Sequence, residues 1–301
     1  MRVCVTGGLG FVGSHLVDAL LDEGHVVVVI DNLSTGRAEN LAHRKGKAGL
    51  RIVLGDLEET RMQQVGGLDA MVHCAALSSV NTCEKSPGDA WDLNVDLTWA
   101  AMELAKKCKA ERFILTSTGA IYGDLADVET ACSCHIVPDN PRSAFARSKL
   151  AAELAVKTFG YNVHGGGSIR LTNVYGPRQR ADLETAVLAK WMQALKVGAT
   201  ELGVTGDGHQ TRDFVFVKDV AARLANAAVY GQVVGGIIAS GRTISIRDMA
   251  QKVWTAAGRE GEVAIKWLPL PAGEVRTTPM LPATANDTAI EDGLRLTWEA
   301  A

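Results

Sequence analysis

The sequence predicts an α/β protein with a doubly wound parallel sheet, and three observations carry that prediction. Short apolar runs recur with amphipathic stretches between them, a glycine-rich turn follows the first run, and 301 residues are enough to bury a large core. The runs at 3–5, 26–30, 52–54, 70–74 and 113–115 read as buried strands, because, His73 apart, they are continuously apolar instead of alternating. The stretch after each supplies the crossover helix that a parallel pair needs. Long helices are expected at 90–108 and 144–158, where apolar residues fall at three- and four-residue intervals with few Gly or Pro. After Gly176-Pro177 the rhythm loosens, with helices expected near 185–197, 217–230 and 246–257 around a glycine-rich turn at 206–208. The chain is therefore expected to divide into a cofactor-binding domain, 1–175, and a smaller substrate-binding region, 176–301, with some chain crossing back to the sheet. Residues 271–285, rich in Pro, Thr and Ala, read as irregular chain.

Composition narrows the function classes. The chain is 47% hydrophobic and 22% charged, as soluble globular proteins are, and its apolar runs are too short to cross a bilayer. The start, MRVCVTGG, enters a strand and turn directly and does not read as a signal peptide, so a cytoplasmic location is expected. A formal charge of −3 without a basic run argues against nucleic acid. The six cysteines are scattered, and the one close pair, Cys132 and Cys134, has C-S-C spacing, which suits neither zinc nor a redox motif. Reduced structural thiols and no metal are the expectation.

The first strand runs into Gly7-Gly8-Leu9-Gly10-Phe11-Val12-Gly13 and then a helix, the context a dinucleotide fingerprint requires. Glycines there allow a tight turn, close approach of backbone to a pyrophosphate and tight helix-on-strand packing, and the helix N-terminus offers free N–H groups. The spacing is G-x-x-G-x-x-G, so the glycines alone are a weak signal. Asp31, at the end of the second strand and 18 positions beyond Gly13, strengthens it: a carboxylate there accepts the adenosine ribose hydroxyls. An acidic group also repels a 2′-phosphate, and Asn32-Leu33-Ser34-Thr35-Gly36 brings no Arg to offset it. A Rossmann-type unit binding NAD in preference to NADP follows.

Further motifs extend the pattern: DNLSTG, Gly55-Asp56-Leu57, VHCAA at 72–76, Asn94 in NVDLT, TSTGAIYG at 116–123, SKLAAE at 148–153, RLTNVYGPRQ at 170–179 and GDGHQTRDFVFVKDV at 206–220. Together they resemble the extended short-chain dehydrogenase/reductase superfamily, and within it the nucleotide-sugar epimerases and dehydratases typified by UDP-glucose 4-epimerase. The resemblance implies that Asp56 and Leu57 lie at the adenine, that Ala75 and Ala76 line the dinucleotide, and that Asn94 steadies the active-site helix. It places Phe11, Val12, Asn32, Ser34, Thr35, Gly36, Cys74 and Thr116 with them around the cofactor. Thr118 matches the catalytic Ser/Thr that hydrogen-bonds the sugar 4-hydroxyl, and Lys149 the lysine that holds the nicotinamide ribose. Asn173 and Arg212 match the grips on the sugar-nucleotide diphosphate, where Arg suits a bidentate hold. Ser78, Arg178 and Val204 complete the implied substrate side. The match decays beyond about residue 265: an expected diphosphate Arg is replaced by Pro271, with Arg276 the substitute, and Thr278 falls near the position that gates sugar size. Such proteins dimerise through their two long helices, here those with Trp91, Leu93, Trp99 and residues 144–154, so a homodimer is expected.

Chemistry selects within the resemblance. Dehydratases place an acid–base pair, or at least a Glu, directly after the catalytic Ser/Thr, and some decarboxylases keep that Glu. Gly119 and Ala120 stand there and cannot move protons. Epimerisation at C4 of a UDP-glucose/UDP-galactose type substrate, through a transient 4-keto sugar, is left as the expected reaction. The family's base, a Tyr four residues before the Lys, is Phe145 in this chain. Loss of one general base removes about 10²- to 10⁴-fold in rate. Three readings of Phe145 follow: a deliberate Tyr→Phe substitution that traps the substrate complex, an enzyme using Thr118 or water as a weaker base, or a protein that binds NAD and a nucleotide sugar without turnover. A net NAD-dependent oxidoreductase of nucleotide sugars is the alternative enzyme class.

Overall fold

In the computed structural model β1 (Arg2–Thr6) lies within a seven-stranded, wholly parallel sheet. On one side of it come β2 (Val26–Asp31) and the edge strand β3 (Leu50–Leu54). On the other come β4 (Ala70–His73), β5 (Arg112–Thr118), β6 (Gly167–Leu171) and β10 (Ile237–Ile238). The structure describes residues 1–123, 141–158, 167–182, 186–231, 236–270 and 288–300, with positions 276, 278, 281, 283 and 284. Cys132, Cys134 and Pro271 lie outside the described residues.

The chain winds outward from β1 to β3 and then returns to β4 on the other side. That reversal opens a crevice beyond the carboxyl ends of β1 and β4, where doubly wound sheets bind ligands. Helix α1 (Phe11–Asp22) packs with α8 (Val217–Tyr230) on one face, around Val5, Leu16, Val29, Ile114 and Leu224. The opposite face carries α5 (Leu97–Lys107) and α6 (Ala144–Thr158) over Val28, Met71, Phe113 and Leu115. Short helices α2 (Met62–Val65), α3 (Val80–Lys85) and α4 (Pro87–Trp91) lie between β3 and α5. The long helix expected at 90–108 is present with a π-turn, Asp92–Asp96, joining α4 to α5. Such a turn is typical of functional positions and here contains Asn94.

The second half builds a smaller core. A three-stranded sheet of β7 (Asn173–Tyr175), β9 (Thr211–Phe216) and β11 (Thr243–Ser245) adjoins a pair made by β8 (Leu202–Thr205) and β12 (Ile265–Leu268). Around them α7 (Val187–Lys196), α9 (Ile246–Ala256) and α10 (Ile290–Ala300) bury Trp191, Met249, Val253 and Leu294. The chain crosses back twice, through β10 at the sheet edge and α8 against α1. Among the described residues no helix is long and apolar enough to cross a membrane.

Candidate active site

The glycine turn makes a cradle that side chains would fill. Gly7 has φ +65°, and a Cβ on it would stand 2.8 Å from the Ala75 backbone nitrogen. At Gly13 a Cβ would overlap the Gly7 carbonyl. Gly10 is the N-cap residue of α1 and has no side chain to satisfy the helix's first N–H groups, which stay available to an anion. Phe11 and Val12 form the first turn. Cys74 and Ala75 are tied to β1 by Cys74 N–H to the Thr6 carbonyl (3.1 Å) and Ala75 N–H to Thr6 Oγ1 (3.3 Å), which fixes Cys74, Ala75 and Ala76 beside the turn.

Asp31, at the end of β2 and 7% exposed, receives Leu9 N–H at 2.9 Å on Oδ2 and Leu33 N–H at 2.8 Å on Oδ1. A Cβ on Gly36 would stand 2.7 Å from that carboxylate, so Gly36 keeps its approach open. Asn32 donates to Asp56 at 2.7 Å and accepts from Ser34 N–H at 3.0 Å, so the rim from Asn32 to Thr35 meets Asp56 while Leu57 is buried behind it.

Phe145 and Lys149 both lie on α6. Phe145 is half-buried on its first turn, and Lys149, one turn further along the same face, is only 3% exposed. The Ser148 hydroxyl donates to the Phe145 carbonyl (2.9 Å) and receives the Asn94 amide (2.9 Å). Asn94 also donates to the Leu77 carbonyl and accepts from Leu77 N–H, so this buried side chain clamps α6 to the loop after β4. Glu84 of α3 receives Ala144 N–H at 2.6 Å and caps the same turn. Burial pulls the Lys149 ammonium down to about 8, with Cys74 and Glu153 opposing the shift, and among the described residues it makes no hydrogen bond. Thr118 ends β5 and accepts Ala120 N–H at 3.1 Å, leaving its own proton free to donate. Thr116 instead spends its proton on the His73 carbonyl.

Two imidazoles are buried, His15 of α1 against Pro177 and His73 at the end of β4. Burial lowers His15 to about 4, and burial with the Lys149 cation lowers His73 to about 3. Both are neutral in the fold at pH 6 but take up protons when the chain unfolds, so the unfolded state binds more protons between about pH 6.5 and 4. Stability is expected to fall as pH drops through that window, with His15 alone contributing on the order of 2 kcal/mol. Urea unfolding at pH 7, 5.5 and 4.5 checks this, and a constant free energy across the three contradicts it.

The residues that the resemblance assigns to the substrate are placed as follows. Asn173 is anchored by its amide to the Asp213 carbonyl (3.1 Å), next to Arg212, whose guanidinium reaches the Thr211 carbonyl (2.8 Å). The exposed Arg276 joins them through its own carbonyl, which accepts Thr211 N–H at 3.0 Å, and the Thr278 hydroxyl donates to the Thr211 carbonyl. Ser78 is exposed at the loop after β4. One expectation needs correction: the Val204 side chain is in the core at 1% exposure, so only its backbone can meet a ligand. Arg178 pairs through Nη2 with Asp18 of α1 at 2.7 Å, while its buried Nη1 has no hydrogen-bond partner among the described residues.

Residues 3–234 match the profile of the NAD dependent epimerase/dehydratase family. The chain belongs to this family. Over 232 residues it is 38% identical to UDP-glucuronic acid decarboxylase 2 of Arabidopsis thaliana, covering 74% of this chain and 50% of that protein, so it spans about half that relative's length. Over 274 residues it is 34% identical to UDP-glucose 4-epimerase of Mycolicibacterium smegmatis, covering 87% of this chain and 84% of that one. Among solved structures, a Tyr-to-Phe mutant of Bacillus cereus UDP-glucuronic acid 4-epimerase, in complex with UDP-4-deoxy-4-fluoro-glucuronic acid and NAD, is similar with a TM-score of 0.85. That match has 25% identity and covers 100% of this chain and 98% of that one. The family's NAD fits the residues present: a cradle that any Cβ would fill, a carboxylate at the end of β2, and a buried ammonium without a hydrogen bond among the described residues.

Proposed function

We propose that this site is laid out for C4 epimerisation of a UDP-sugar of the UDP-glucose/UDP-galactose type, and that Phe145 holds it almost at rest. The observation that carries the reading is the start of the turn after Thr118: Gly119 and Ala120 stand there, and neither has a side chain able to take or give a proton. Dehydration and decarboxylation with an acid–base pair there lose their machinery, whereas epimerisation needs only one base at the 4-hydroxyl. Bound NAD would supply reversible oxidation and reduction at C4. Thr118 would orient the 4-hydroxyl, Lys149 the nicotinamide ribose, and Asn173 with Arg212 the diphosphate, with Arg276 beside them. Product identity tests the assignment. The Phe145→Tyr variant, supplied with UDP-glucose and UDP-glucuronate, is expected to return only their C4 epimers by chromatography, and carbon dioxide from the uronate would put it with the decarboxylases.

Phe145 favours a second reading, a protein that holds NAD and a nucleotide sugar without turnover. The similar Tyr-to-Phe structure, with both ligands bound, supports retention of binding when a tyrosine hydroxyl is removed. The two readings part on the Phe145→Tyr variant, which stays inert only under the second. The free thiols Cys4, Cys74, Cys83 and Cys108 are in keeping with a reducing, cytoplasmic setting.

For assembly, Trp91 (50% exposed), Leu93, Trp99 and Leu154 (54%) leave large apolar side chains open near α5 and α6. Such exposure marks an interaction surface, and two copies pairing these helices would bury it as a four-helix bundle. Sedimentation at micromolar concentration is expected to show a dimer that Trp99→Glu converts to monomer. A monomeric parent protein contradicts the assignment.

A further inference from the structure

We propose that Asp18 and Arg180 are positioning residues that couple cofactor binding to sugar-nucleotide binding, by strapping the loop after β7 to α1 and to the ribose rim. The proposal rests on the reading of β7 as part of the sugar-nucleotide site. Asp18 lies seven residues into α1, about 10 Å from its N-terminus, too far to touch a pyrophosphate held there. Its half-buried carboxylate gathers three partners from two other segments. Oδ1 accepts Arg44 Nε at 2.6 Å and His43 Nε2 at 2.8 Å, both from the stretch after the ribose rim, and Oδ2 accepts Arg178 Nη2 at 2.7 Å.

Two more links run between the same segments. His15 Nε2 donates to the Pro177 carbonyl at 2.9 Å, and Arg180 Nη1 donates to the Thr35 carbonyl at 2.8 Å, while the rest of the Arg180 guanidinium forks onto Asp182. The loop they hold is in an unusual conformation. Arg178 has φ +67°, a left-handed conformation that costs a non-glycine residue free energy and persists where the surroundings enforce it. The same loop returns to β7 through Gln179, whose amide donates to the Val174 carbonyl at 3.1 Å, next to Asn173. A ligand that orders residues 31–36 and the start of α1 therefore orders β7, and the reverse holds because coupling between two sites is reciprocal.

The test is titration calorimetry of UDP into NAD-loaded and NAD-stripped protein, for the parent chain, Asp18→Asn and Arg180→Gln. In the parent chain NAD is expected to tighten UDP binding by about 5- to 100-fold, within the usual range for coupled sites. Arg180 is at the surface, and its replacement leaves the core intact, so Arg180→Gln is expected to keep the melting temperature while cutting the NAD effect at least threefold. Asp18→Asn is expected to bring the effect close to none. An undiminished effect in both variants, or UDP affinity in the parent chain that ignores NAD, overturns the coupling. Failure of UDP to bind the NAD-loaded parent chain at all would instead overturn the proposed function.

Discussion

Replacing Phe145 by tyrosine is expected to raise the rate of UDP-galactose to UDP-glucose conversion by about 10²- to 10⁴-fold, the usual contribution of one positioned general base. The backbone at 145 is already fixed for the task. Ser148 holds its carbonyl, Asn94 holds Ser148, and Glu84 caps the same turn, so a hydroxyl can be added without rearranging α6. Phe145 is half-buried and not sealed in the core, so the added polar oxygen is expected to cost little stability. Lys149, one turn along, remains cationic at neutral pH with its pKa at about 8, and an opposite charge at that spacing favours the ionised phenol. The rate of the variant is therefore expected to rise with pH below neutrality. A coupled assay on both proteins under the same NAD saturation checks this, and equal rates would remove Phe145 as the block.

Lys149→Met is expected to act in opposite directions on binding and on stability. Lys149 is buried at 3% exposure and forms no hydrogen bond among the described residues, so the folded chain carries a desolvation cost that Cys74 and Glu153 offset only in part. An apolar side chain of similar length removes that cost and is expected to stabilise the NAD-free protein by about 1 kcal/mol or more. It also removes a charged donor to the cofactor, for which about 1.5–3 kcal/mol is usual, so NAD affinity is expected to fall roughly 10- to 100-fold. The pH dependence has a definite sign. With the folded value lowered to about 8 from the ordinary 10.5, the folded chain loses this proton first, and stability rises with pH between 8 and 10.5. Methionine abolishes that rise. Melting curves at pH 7, 8.5 and 10 together with NAD titrations measure both effects, and a destabilised variant with unchanged NAD affinity contradicts the assignment.

Much of the cofactor half was legible because its signals are local. Glycines at a strand-to-helix turn, an acid at the end of the second strand and the periodicity of 144–158 and 217–230 each lie within one element. The strand Gly167–Leu171 escapes such a reading because Arg170 interrupts its apolar run. The structure seats that arginine by forking it onto Glu153 of α6 at 2.7–3.2 Å, with Tyr122 against the guanidinium. Strand β10 is only two residues long, too short for any period. On the substrate side, Arg178 has the right chemistry for a diphosphate, and its pairing with Asp18 joins positions 160 residues apart, which no local pattern displays. Phe145 is the converse case, a departure visible only in sequence, since a phenylalanine ring on that turn packs without disturbing the fold around it.

On the proposed reading, this chain holds NAD and a UDP-sugar and lacks one hydroxyl for turning the sugar over. Calorimetric titration of UDP-glucose into the NAD-loaded chain as it stands, with the same sample analysed for product after equilibration, tests that most directly. Saturable one-site binding with at most trace conversion is the expected result. Absence of binding, or conversion to the C4 epimer at a rate matching the Phe145→Tyr variant, would contradict it.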